Sequence, residues 1–104
     1  MKYFDQLKFE EINEKQHKSF LKEVKSLKVE YPNLKNTGKL KDEPSYKASI
    51  TTPKKYKIVV YTGGLAFAEK NNFEVLLFYK NNLLFDFENV DKAKVNEIIE
   101  KFSH

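Results

Sequence analysis

Two runs of β-branched, aromatic and leucine residues flank an asparagine pair within the segment from Phe73 to Glu88, FEVLLFYKNNLLFDFE. Asparagine tolerates the left-handed backbone conformation that a tight two-residue turn requires. The segment therefore predicts a β-hairpin with Asn81-Asn82 at its tip. The rest of the chain has to cover this hairpin.

Residues before the hairpin predict further strands. Tyr56 to Thr62, YKIVVYT, is typical of a strand, and the weaker alternation of Tyr46 to Ile50 predicts an edge strand before it. Gly63-Gly64 and Asn71-Asn72 are turn signals. If both are two-residue turns, the strands form an antiparallel meander in which Leu65 to Lys70 is either a strand or a helical turn.

In this meander, residues opposite each other share a side of the sheet. The face expected to form the principal core collects Ile58, Val60, Leu65, Phe67, Leu76, Phe78, Leu83, Phe85 and Phe87. The other face collects Val59, Tyr61, Ala66, Ala68, Val75, Leu77, Tyr79 and Leu84, with Lys57, Asp86 and Glu88 at its ends.

Helices are predicted on both sides of the sheet region. Apolar residues recur at helical spacing from Lys8 to about Val29, and Tyr31-Pro32 ends that pattern. At the C-terminus, Asn89 or Asp91 can cap a helix. Its apolar stripe is Ala93, Val95, Ile98, Ile99 and Phe102. The predicted fold is α+β in one domain spanning 1–104: an N-terminal amphipathic helix, an antiparallel β-meander of four to five strands and a C-terminal helix.

Residues that carry chemistry are few. The chain has no cysteine, which excludes disulfides and thiolate ligands, and its two histidines, His17 and His104, stand in no metal-ligand spacing. No phosphate-cradling glycine motif and no nucleophile elbow is present. We expect no metal and no cofactor. A metal-independent ribonuclease that uses His17 with tyrosine and lysine is a minor alternative.

Positive charge is concentrated in the middle of the chain. All nineteen basic residues are lysine, and residues 15–57 hold twelve of them against four acids. Lysine and asparagine enrichment also fits an AT-rich bacterial or phage-like genome. A lysine-rich ridge within 15–57 could bind nucleic acid, or could simply solvate the surface. The nucleic-acid alternative rests on Lys15, Lys18, Lys22, Lys25, Lys54 and Lys55.

The preferred functional interpretation is a small protein-binding module, of the immunity-protein or inhibitor kind, that neutralises or regulates one partner or self-associates. The second sheet face offers small residues between tyrosines, a mixture typical of protein interfaces, although a covering helix would also favour it. The residues of this predicted surface are Tyr61, Ala66, Ala68, Leu77 and Tyr79.

An irregular stretch from Asn33 to Pro44 is a second candidate for binding, or else a mobile connector. Its charged residues are Lys35, Lys39, Lys41, Asp42 and Glu43. The N-terminal residues lack the apolar run of a signal peptide, and no segment is apolar enough to span a bilayer, so a cytoplasmic location without membrane contact is expected.

Overall fold

A computed structural model of the chain describes residues 1–12, 44–64, 66 and 68–104. These residues form a five-stranded antiparallel sheet with the strands in chain order, followed by one α-helix. The strands are β1 (Glu10–Ile12), β2 (Ser45–Thr51), β3 (Tyr56–Gly63), β4 (Phe73–Tyr79) and β5 (Asn82–Val90), and the helix is α1 (Lys92–Ser103). The predicted α+β class and the antiparallel sheet are confirmed.

The predicted start of the N-terminal helix at Lys8 is wrong. Residues Phe4–Gln6 form a single 3₁₀ turn, and Glu10–Ile12 form β1, which pairs with β2. Glu10 lies opposite Lys47, an opposite-charge pair that supports the strand. The strand predicted at Tyr46 to Ile50 is therefore present but is not at the sheet edge, and the remainder of the predicted helix lies outside the described residues.

The last hairpin is present, but its tip lies one residue earlier than predicted. Tyr79 lies opposite Asn82, so Lys80 and Asn81 form the two-residue turn. Their φ angles are 49° and 64°, the left-handed values at both positions that a type I′ turn requires. Asn82 is the first residue of β5.

The predicted strand between β3 and β4 is absent from the described residues of that connection. β3 pairs directly with β4, placing Ile58 opposite Leu77 and Val60 opposite Val75. Removing one strand from a meander inverts the side on which the next strand places its residues. Leu76 and Phe78 therefore lie on the face with Val59, opposite to the prediction.

The sheet has two buried faces. The first, called here the helix face, carries Ile58, Val60, Val75 and Leu77, which form one core with Val95, Ile98 and Ile99 of α1. The other, called here the second face, carries Val59, Tyr61, Leu76 and Phe78, all of which are also buried. Burial on both sides explains why β4 is a nearly continuous apolar run.

The C-terminal helix is confirmed, with Asp91 as its N-cap. The Asp91 side chain accepts a hydrogen bond of 2.8 Å from the backbone N–H of Lys94. The Asn96 side chain accepts hydrogen bonds from the backbone N–H groups of Tyr3 and Phe4, which ties the N-terminal segment to α1. In the described part of the chain, no helix is long and apolar enough to cross a membrane.

Candidate functional site

The exposed apolar surface lies on β5. Among the described strands, β5 has a neighbour on one side only. Leu84 is 44% exposed and Phe85 is 57% exposed, and the Phe85 ring lies 5.7 Å from the ring of Phe87. We call Leu84, Phe85 and Phe87 the β5 surface. Phe87 is half-buried against the helix-face core, so Phe85 is the exposed aromatic residue of this surface. An edge strand with an exposed aromatic residue is a template for pairing with another chain.

Two irregularities in the β4–β5 pairing produce this surface. Phe78 lies opposite Leu83 but Leu77 lies opposite Phe85, so one extra residue of β5 is accommodated there. A second shift lies near Asn89, whose φ is 54°. Bulges of this kind bend and twist an edge strand and re-aim its side chains. They leave Phe85 at the rim of the helix-face core instead of inside it.

The position of Phe85 corrects the predicted core. The sequence placed it opposite Phe78 in the principal core, whereas Phe78 is buried on the second face and Phe85 is largely in water. Sequence reasoning therefore missed the β5 surface. The signal available was the alternation Phe85-Asp86-Phe87-Glu88, which is typical of a strand with two different faces.

Three carboxylates meet on the second face beside β5. Glu74 lies on β4, and Asp86 and Glu88 lie on β5; one side-chain oxygen from each falls within 4.8 Å of the others. The pKa of Glu88 is raised above its ordinary value, mainly by partial burial and to a lesser extent by the charge of Asp86. We call these residues the carboxylate cluster. Oxygen ligands in such a group suit a hard cation, or the ammonium or guanidinium group of a partner.

Four lysines line a cavity elsewhere on the second face. The cavity has a volume of about 410 Å³, and its described lining includes Lys47, Lys55, Lys57 and Lys80. All four are exposed. Apolar side chains of the buried second face form its floor, and polar Thr51 stands opposite Lys57 across β2 and β3. We call this the lysine cavity.

The five residues of the predicted protein-binding surface do not share a face. Tyr61 is buried on the second face, whereas Leu77 is buried on the helix face with Tyr79 packed near Tyr56. Ala66 and Ala68 lie in the connection between β3 and β4, where Ala68 lines a depression of about 330 Å³. The described residues of this set do not form one shared trough, because β3 pairs directly with β4 and places Tyr61 and Leu77 on opposite faces.

The other predicted site residues are mostly beyond the described part of the chain. Lys15, Lys18, Lys22, Lys25, Lys35, Lys39, Lys41, Asp42, Glu43 and His17 all lie there. Lys54 and Lys55 are exposed in the turn between β2 and β3, and Lys55 reaches the lysine cavity. His104 is held at the end of α1, where its Nε2 atom lies 2.7 Å from the hydroxyl of Tyr3.

Comparison with known proteins gives no relative for this chain. No protein-family model, no curated protein sequence and no solved structure matches it.

Proposed function

We propose that the chain is a protein-binding module that takes an extended segment of a partner along β5, in the manner of an inhibitor or immunity protein that neutralises or regulates one partner. The observation that supports this most is the exposure of Leu84 and Phe85 on an edge strand. In strand addition, backbone hydrogen bonds supply affinity and alternate side chains supply specificity.

The partner segment has a definite chemistry. Successive side chains of an added partner strand point to opposite faces of the sheet. The partner side chains on one face would pack on Phe85 and Phe87, and those on the other face would lie beside the carboxylate cluster. Apolar residues suit the first set. Lysine or arginine suits the second, because a cationic side chain there can form charge-assisted hydrogen bonds with the carboxylate of Glu88. The expected partner segment therefore alternates apolar and basic residues.

A synthetic peptide that alternates valine and lysine tests the proposal. We expect its addition to shift the backbone amide resonances of β5 in isotope-labelled protein. Burying the exposed part of Phe85 is worth about 1–3 kcal/mol, so Phe85→Ala should weaken binding by at least about fivefold. Tyr46→Ala is the matched control, because Tyr46 is a 37% exposed aromatic residue on β2.

Three results would overturn the proposal. The first is an absence of shifts on β5, and the second is equal affinity for a peptide in which glutamate replaces lysine. The third is a dimer, measured by sedimentation, that Phe85→Ala dissociates. That dimer would assign the β5 surface to a second copy of the chain instead of a separate partner.

Nucleic-acid binding remains an alternative prediction. Four of its six lysines lie outside the described residues, and the remaining pair, Lys54 and Lys55, is exposed in one turn. The three tyrosines expected to stack on bases are Tyr46, Tyr56 and Tyr61. Tyr61 is 3% exposed and offers no stacking surface, and Tyr56 packs against Tyr79 and Phe102, whereas Tyr46 is 37% exposed. A role for this chain in nucleic-acid binding would therefore rest on contacts with phosphate and on stacking at Tyr46.

A further inference from the structure

We infer that the lysine cavity binds a ligand that carries several phosphate groups close together. The four lysines come from four different parts of the sheet: Lys47 from β2, Lys55 from the following turn, Lys57 from β3 and Lys80 from the last hairpin turn. The antiparallel register brings them to one volume. This site is distinct from the β5 surface and does not depend on the proposed protein-binding function.

The charge of the cavity points to an anion. Its described lining contains four lysine residues and no acidic residue. The Nζ atom of Lys80 lies 5.5 Å from the ring centroid of Tyr79, and Lys47 stands opposite Glu10 of β1, so Lys55 and Lys57 are the lysines without such a neighbour among these contacts. Clustered like charges repel one another, and an anion that enters between them removes that repulsion. Lysine binds phosphate as a point charge on a flexible stem, so it needs no rigid fork geometry. The cluster can therefore adjust to a phosphate chain.

Size and number favour several phosphates over one small anion. A volume of about 410 Å³ lies within the range of ligand sites and exceeds what one inorganic phosphate fills. A ligand with several phosphate charges matches four lysines better than a ligand with a single carboxylate does. Polar Thr51 and Asn81 also line the cavity and can donate hydrogen bonds to phosphate oxygens.

The floor of the cavity makes recognition independent of the nucleobase. The rings of Tyr61 and Phe78 lie beneath the lysines, but both side chains are buried and present no flat face to a ligand. Two sources share the required chemistry: free inorganic polyphosphate and the sugar-phosphate backbone of a single-stranded nucleic acid. The inference covers the phosphate chemistry that both contain.

A triple variant with a charge-matched control tests the inference. Lys47→Gln, Lys57→Gln and Lys80→Gln together remove three cations from the cavity. The control carries the same change at Lys8, Lys70 and Lys101, which are exposed and lie outside the described lining. The probes are inorganic tripolyphosphate, measured by calorimetry, and fluorescent oligothymidylate and oligoadenylate, measured by anisotropy.

We expect the wild-type protein to bind tripolyphosphate at about 50 mM salt and to lose affinity steeply toward about 200 mM. The cavity variant should bind at least about tenfold more weakly, with a salt slope reduced by about one for each phosphate group that is no longer neutralised. The control should retain wild-type affinity within about twofold. Melting temperatures of both variants establish that they are folded.

The two oligonucleotide arms separate the sources. If the two oligonucleotides bind equally and the cavity variant loses that binding, the cavity is assigned to a nucleic-acid backbone. If tripolyphosphate alone binds, the cavity is assigned to free polyphosphate. Three results would overturn the inference: no binding of any probe at low salt, equal weakening in the two triple variants, or oligonucleotide binding that the cavity variant retains in full.

Discussion

Truncation of Phe85 to alanine tests the register of the last hairpin, because Phe85 lies opposite Leu77 on neighbouring strands and only Leu77 is in the core. A phenylalanine side chain that is fully buried removes about 200 Å² from water. Phe85 is 57% exposed, so truncation forfeits less than half of that area. At about 25 cal/mol per Å² the upper limit is about 2 kcal/mol. Residual compactness of the unfolded chain lowers the expected cost to about 1 kcal/mol.

Leu77→Ala supplies the contrast. Leu77 is fully buried between the sheet and α1, and truncation of such a leucine costs about 2–5 kcal/mol, of which part is the free energy of the cavity left behind. The free energy of unfolding is measured by urea denaturation, with an unchanged m-value as the sign of two-state behaviour. In melting temperature, 1 kcal/mol corresponds to about 4–8 °C for a domain near this size.

The two variants should therefore differ by about 1–4 kcal/mol, with Leu77→Ala the less stable. A Phe85→Ala protein as unstable as Leu77→Ala would refute this register and place the Phe85 ring inside the core. The same result would remove the observation on which the proposed β5 surface depends.

Asn81→Gly should be neutral or stabilising by up to about 1 kcal/mol, since φ at Asn81 is 64°, whereas Asn82→Gly should lower the melting temperature because Asn82 is in β5. Gly63→Ala should cost about 1–3 kcal/mol in urea denaturation, because φ there is 91° and an added Cβ would meet the backbone that precedes β2; full stability would contradict that geometry. Glu88 has a raised pKa in the folded state, so its contribution to the free energy of unfolding is present at low pH and declines as pH rises through that pKa. Glu88→Gln should therefore flatten the dependence of the free energy of unfolding on pH above about pH 4.5. A steeper decline in the variant would refute the assigned environment of Glu88.

The sequence predicted those elements whose spacing of apolar residues agrees with the capping or turn residues at their ends. The predicted stripe of α1 was correct at Val95, Ile98, Ile99 and Phe102, whereas Ala93 is exposed. Asp91, one of the two predicted caps, is the N-cap; a capping side chain and helical spacing are both local signals. The last hairpin was also correct, but its tip was off by one residue. A positive φ at Lys80 is unfavourable by itself. The position of the two-residue turn is set instead by the cross-strand pairing of Tyr79 with Asn82.

The inverted face of β4 has a physical reason. Glu74, Val75, Leu76, Leu77 and Phe78 are all buried, so alternation between apolar and polar residues carries no information in this strand. Its orientation depended entirely on the number of strands before it. The sequence-based sorting was correct for β3 and for β5 beyond its first bulge, where polar residues mark one side, and wrong for the strand between them.

That inversion also concealed the carboxylate cluster, because Glu74 of β4 joins Asp86 and Glu88 on the second face only when β3 pairs directly with β4. Across this face the charge changes sign once, between β3 and β4: Lys47 on β2 and Lys57 on β3 are followed by Glu74 on β4 and Asp86 on β5. The net charge of +4 belongs to the whole chain and describes neither region. Lys47 and Glu74 both lie opposite Tyr61, which places the two regions about 10 Å apart, near the distance over which salt screens charges. Ligands of opposite charge bound in the two regions would attract each other. A basic partner segment at β5 and a phosphate-bearing ligand in the lysine cavity are therefore compatible on one small sheet.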